Sequence, residues 1–198
     1  MLFRSMDPAH NPEDIVLKTS LAGLDFLPAN RELATAETVL GAEIGSQFFL
    51  KRVLTPLKEF YDVILIDCQP SLGLLTVNAL TASHFVIVPL ECEYFALRGV
   101  ALLADIIKKV QLNTNPDLQL LGILATMFDK KTVHSREVLE RILEAFPEKI
   151  FDTTIARTVR FPETTVAGEP ITTYASSSTG AAAYRRLARE VISIGGCK

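Results

Sequence analysis

A doubly wound α/β fold with a mostly parallel sheet is what this sequence predicts, and three observations predict it. Short apolar runs recur at residues 63–66, 85–89 and 120–127, and they lack the polar alternation of a strand wetted on one face. Stretches of helical length and amphipathic character stand between them, the alternation that builds a parallel sheet flanked by helices. The 198 residues, 48% hydrophobic and 22% charged, suffice for one globular domain with a substantial core, so a single domain is expected over 1–198.

Each element follows in order. Residues 13–18 lead towards an early strand, and a second short strand is expected at 24–27. The Pro28-Ala29-Asn30 turn opens a helix at 31–40, and after Gly41 another helix is expected to run to about Phe60. The strand at 63–66 precedes a helix at 73–82 and the strand at 85–89. A long amphipathic helix over 96–110 ends in Lys108 and Lys109, cations suited to a helix C-terminus. After a turn at 113–116, the strand at 120–127 gives way to a helix at 135–146 and a strand-like stretch at 150–155. Helices near 162–167 and at 179–194 close the series.

The most informative point is the end of the 63–66 run, where Asp67 is followed at once by the turn Cys68-Gln69-Pro70-Ser71-Leu72-Gly73. In open α/β sheets ligands sit beyond the strand C-termini, so an acid there can hold Mg²⁺ through water or orient an attacking water. The plainer alternative is that Asp67 caps the helix beginning near Ser71 or Leu72. The pattern alone leaves both open.

Further segments keep company with this one: Val86-Ile-Val-Pro89, Glu91-Cys-Glu-Tyr-Phe-Ala-Leu-Arg-Gly99, Gly122-Ile-Leu-Ala-Thr-Met-Phe-Asp129, Arg157-Thr-Val-Arg-Phe-Pro-Glu163 and Gly168-Glu-Pro-Ile-Thr-Thr-Tyr174. In order and spacing the chain resembles the ParA/Soj-type chromosome and plasmid partition ATPases, relatives of MinD among the deviant P-loop NTPases, from about Leu24 to Val191. The resemblance implies a P-loop NTPase sheet and a protein that binds ATP with Mg²⁺, forms a homodimer around the nucleotide and binds nucleoid DNA without sequence preference. It also implies release of DNA when a ParB-type centromere-binding partner stimulates hydrolysis, in the cytoplasm and without a membrane. Asp67 would act on Mg²⁺ through water and on the attacking water; Gln69, Pro70, Ser71 and Gly73 would form the switch. Thr126, Met127, Phe128 and Asp129 resemble the loop that approaches the nucleobase. The Ile155-Ala156-Arg157 segment resembles one usually reading Ile-Pro-Arg that packs on the base, and Ala156 departs from it.

The same family opens with a Lys-Gly-Gly-x-Gly-Lys-Thr phosphate loop after a first strand, and these 198 residues contain none. Such a loop converges backbone N–H groups, a lysine charge and a hydroxyl on the phosphates and Mg²⁺. The sequence is therefore expected to be the later part of a longer frame lacking the first strand, with Met1 to Ser5 an artefact, and to have negligible ATPase activity. A degenerate paralogue acting as a pseudo-ATPase that docks on DNA or a partner is the alternative. A MinD-like positioning ATPase is the second, although no separate amphipathic tail follows the final packing helix.

DNA contacts are expected, by resemblance, at Lys131, Arg136, Arg157, Arg160, Arg185 and Arg186, with Lys130 and Arg189 near them. The competing reading of these cations is a solvated face paired with Glu137, Glu140 or Glu163. A net charge of −3 argues against a wholly basic nucleic-acid protein but not against a local patch. Three scattered cysteines, Cys68, Cys92 and Cys197, fit a reducing compartment, and Cys68 and Cys92 are expected to be small buried fillers. No apolar stretch approaches the roughly 20 residues of a membrane span. Glu91, Glu93, Tyr94 and Phe95 suit a helix start and core rather than chemistry.

Overall fold

Two parallel strands form the longer of two sheets, β3 (Phe85–Glu91) and β4 (Gln119–Thr126), numbered after a short antiparallel pair, β1 (Leu17–Lys18) and β2 (Asp25–Phe26). The computed structural model describes residues 12–29, 33–92, 96–129, 132–147 and 149–195. Helices α1 (Leu33–Leu40), α2 (Phe49–Leu54), α3 (Leu74–Ala82), α4 (Ala96–Asn113), α5 (Val133–Ala145), α6 (Arg160–Ala167), α7 (Ile171–Tyr174) and α8 (Thr179–Gly195) complete the order. The chain divides into two compact units, one of residues 1–84 and 106–118, the other of residues 85–105 and 119–198.

The second unit is a layered α/β structure. From Leu121 to Ala125 every β4 side chain is buried, as expected of a strand covered on both faces. On one face Ile123 and Ala125, with Val88 and Leu90 of β3, pack against Val100 of α4 and Val138 and Ile142 of α5. On the other, Leu121 and Leu124 meet Phe151, Ile155, and Ala183, Leu187 and Val191 of α8. Burying a side chain such as Ile123 or Ile142 contributes roughly 1.5–3 kcal/mol. A register shift between Val86 and Ile87 leaves Leu121 unpaired, which changes the set of β4 residues facing each layer. Gly122 is where the Phe151 ring crosses β4, and a Cβ there would stand 2.7 Å from the ring.

The stretch expected as a strand at 150–155 lies along β4 without forming a continuous ladder. It makes two isolated parallel bridges, Ile123 to Ile150 and Phe128 to Ala156. The Ile155 N–H donates to the Ala125 carbonyl at 2.9 Å and the Phe128 N–H to the Ile155 carbonyl at 3.0 Å. Glu190 of α8 fixes the middle of this stretch by accepting from the Asp152 and Thr153 N–H groups at 2.6 and 3.2 Å.

The first unit is built around α3, which is buried from Asn78 to Ala82. Its buried polar groups all find partners, as desolvation requires. Asn78 accepts from the Leu50 N–H at 3.1 Å and donates to the Ser46 and Leu74 carbonyls at 2.9 and 3.0 Å. The buried Asn115 amide donates to the Leu80 and Ser83 carbonyls at 2.9 and 2.6 Å, closing the C-terminus of α3. Thr81 and Thr114 share a 2.8 Å hydrogen bond.

Several expectations require correction. The helix expected from Gly41 to about Phe60 is broken into α2 and two 3₁₀ turns, Ser46–Phe48 and Pro56–Glu59. Gly45 takes a left-handed φ of 71° ahead of the first turn, and Pro56 lacks the N–H that would continue α2. The early strand pairs antiparallel with its successor, Leu17 opposite Phe26, rather than joining the parallel sheet. Residues 63–66 form no strand, and Val63 and Leu65 are 50% and 83% exposed. Ile64 and Ile66 alone pack inward, on Leu54, Leu57 and Ala82, so this run is covered on one face and not on both. Among the described residues no strand pairs with it, and apolar content without a neighbouring strand leaves the second face wet.

Candidate functional site

In the first unit the inward face of 63–66 delivers Asp67 to a cavity of about 140 Å³, whose wall also includes Cys68, Gln69, Leu33, Leu75 and Thr76. Asp67 is exposed, beside a mostly apolar wall. It does not cap the following helix. The N-cap of α3 is Gly73, which has no side chain to offer, and the Leu75 N–H is satisfied at 3.2 Å by the Glu37 carboxylate of α1.

Glu37 is the residue that sequence reasoning missed. Its Oε1 also accepts from Gln69 Nε2 at 3.3 Å, so one carboxylate binds both the turn after Asp67 and the first turn of α3. A Cβ on Gly73 would fall on that carboxylate, which explains the absence of a side chain there. The Thr76 hydroxyl donates back to the Ser71 carbonyl, tying the turn to α3 a second time. Pro70 and Ser71 are exposed. No local motif announces Glu37, because its partners lie more than 30 residues away.

Cys68 is exposed, contrary to the expectation of a buried filler, whereas Cys92 is buried as expected. Desolvation of the Cys68 sulfur, then the Asp67 carboxylate beside it, pushes that thiol above the ordinary range. Among the described residues no three His, Cys, Asp or Glu side chains gather as a metal cage. Magnesium held by one carboxylate, waters and phosphate oxygens needs no such cage, and Asp67 fits that part.

In the second unit the loop after β4 brings Thr126, Met127, Phe128 and Asp129 against Ala156 and Arg157 through the bridge of Phe128 to Ala156. Met127 has φ 50°, a left-handed conformation that costs a non-glycine residue roughly 1–3 kcal/mol and gathers at functional sites. Its side chain is 38% exposed, whereas Phe128 is committed to the core. Asp129 and Arg157 are exposed.

The cations of this unit differ in what they touch. Arg160 pairs with Glu163 at 2.9 Å, and Arg185 donates to the Ser176 and Thr172 carbonyls at 2.7 and 2.9 Å. Arg136, Arg186 and Arg189 are exposed. Lys130, Lys131, Glu93, Tyr94, Phe95 and Cys197 lie outside the described residues.

A family profile described as an AAA domain matches residues 2–120. An uncharacterized Mycobacterium tuberculosis protein is 52% identical over 187 residues, which are 94% of this chain and 59% of the relative, so the chain spans about 59% of that protein's length. A chromosome-partitioning ATPase, Soj of Treponema pallidum, is 40% identical over 178 residues, covering 90% of this chain and 70% of its own length. Among solved structures, a Mycobacterium smegmatis protein named cobyrinic acid a,c-diamide synthase, with bound ADP and magnesium, is 40% identical. It superposes with a TM-score of 0.79 over 95% of this chain and 69% of its own.

Proposed function

The chain belongs to the ParA/Soj family of P-loop partition ATPases, and we propose that it is the switch-bearing and DNA-facing part of a protein that segregates DNA. ATP and magnesium are the ligands proper to this family. The observation that carries the reading is Asp67, exposed at a cavity and followed directly by a turn bound to the N-terminus of α3. Magnesium, when bound, would neutralise phosphate charge. Asp67 would hold one of the ion's waters, and Gln69, Pro70, Ser71 and Gly73 would move with the state of the nucleotide. In the second unit, the Met127 loop and Arg157 are the proposed base contacts.

The whole protein would dimerise on ATP, bind nucleoid DNA without sequence preference in the cytoplasm, and answer to a ParB-type partner. Because the 198 residues carry no lysine phosphate loop, this polypeptide by itself would not turn over ATP. Measurable Mg-ATP turnover by the purified chain would overturn that part.

The DNA part is tested by binding to a random-sequence duplex while salt is raised. Affinity should fall linearly on logarithmic axes as phosphate contacts release counterions. No binding at about 50 mM salt would remove DNA from the reading. The Mycobacterium smegmatis neighbour's name supports a second reading, an ATP-dependent amidating synthase. Corrin-dependent protection of the chain from thermal unfolding, without DNA affinity, would favour it.

A further inference from the structure

We propose that Glu37 is a positioning residue, a carboxylate latch that holds the Gln69–Gly73 turn against the N-terminus of α3. Its role as part of a nucleotide switch rests on the function proposed above, but the latch stands on geometry alone. Oε1 of Glu37 takes the Leu75 N–H at 3.2 Å and Gln69 Nε2 at 3.3 Å. These contacts join the turn and α3 to α1 through one oxygen.

The chemistry explains why an acid stands there. The first N–H groups of a helix have no partner within it, and the helix dipole gives that end partial positive charge. Gly73 cannot supply an oxygen from a side chain, and α3 has no side-chain cap of its own. Glu37 arrives from α1 as the anion this end requires, and the missing Cβ at Gly73 is the space it occupies. Hydrogen bonds to an ionised group are stronger than neutral ones, so the turn is held firmly yet by few atoms.

Hydrogen exchange of the full chain tests the latch. Glu37→Ala should speed exchange at Leu75 and across 69–73 by roughly tenfold or more, with β4 amides unchanged. Glu37→Gln keeps an acceptor oxygen in place and should restore part of the protection. Gly73→Ala, in which Glu37 remains but loses its seat, should reproduce the Glu37→Ala pattern, and the double variant should be no faster than either single one. Unchanged exchange at Leu75 in Glu37→Ala, or additive effects in the double variant, would overturn the latch.

Adding Mg-ATP separates the latch from the switch reading. Faster exchange across 69–73 in the wild type, with little further change in Glu37→Ala, supports both. Nucleotide without effect on either protein, while Glu37→Ala is still fast at Leu75, supports the latch and shows that this polypeptide does not couple it to nucleotide.

Discussion

Tyr61 donates its phenolic hydrogen to Asp25 Oδ2 at 2.6 Å, and Lys18 Nζ meets the same oxygen at 2.7 Å. The shared carboxylate fastens the β1–β2 pair to the segment that enters the 63–66 run. Lys18, then Tyr61, holds the Asp25 carboxyl below its ordinary 3.8, while the bond to Asp25 raises Tyr61 above 10.0 and Lys18 above 10.5. For Asp25 the stabilisation is present above its unfolded value and is lost as pH falls through the lower folded one. For Tyr61 and Lys18 it is present below their unfolded values and is lost as pH rises through the raised ones. The contact should therefore persist between about pH 4 and pH 10 and fail at both ends. Tyrosinate absorbance checks it: one of the four tyrosines should titrate late, and Asp25→Asn should return it to the ordinary range.

Asn115 closes the C-terminus of α3 from a buried position, with both bonds made by the same amide nitrogen. Truncation leaves two carbonyls without partners in a dry place. Asn115→Ala should lower stability by about 1–3 kcal/mol, and Asn115→Asp should do no better because it removes the donor. Urea unfolding followed by far-ultraviolet circular dichroism gives the number.

Gly122 and Phe151 meet where β4 is crossed by an aromatic ring that is 3% exposed. A methyl group at 122 has nowhere to go unless that ring shifts within a packed core. Gly122→Ala should lower stability by about 1–3 kcal/mol, and adding Phe151→Leu should recover part of it. Equal unfolding midpoints for Gly122→Ala and the wild type would show that the ring moves freely.

Much of the second unit was legible in its residues. The apolar runs at 85–89 and 120–127 appear as Phe85–Glu91 and Gln119–Thr126, and the helix expected at 179–194 appears as Thr179–Gly195. Both strands lie beside partners, so their apolar content and their surroundings agree. Residues 63–66 carry the same signal with a different outcome, because a run of Val, Ile and Leu says that burial is favourable but not which neighbour supplies it. Asp67 was legible as the end of that run. Glu37 was not, since a helix cap donated from another helix leaves no spacing to read, and Gly73 was its only trace. The strain at Met127 likewise belongs to the fold, as no residue type there demands a positive φ.

The cations expected to meet DNA should separate by what they already hold. Arg185 spends its guanidinium on the Thr172 and Ser176 carbonyls, so Arg185→Ala should cost about 1 kcal/mol of stability. Arg160 and Glu163 form an exposed pair worth at most about 1 kcal/mol, which a phosphate could displace. Arg136 and Arg186 are exposed, and among the described residues neither pairs with a carboxylate. Arg136→Ala and Arg186→Ala should each reduce the slope of log affinity against log salt by about 1, uniformly across DNA sequences, with the unfolding midpoint unchanged. If Arg185→Ala flattened the salt dependence while Arg186→Ala left it intact, phosphate would be meeting α8 on the side that now holds the Thr172 and Ser176 carbonyls, and the assignment of Arg186 to the DNA-facing surface would fall.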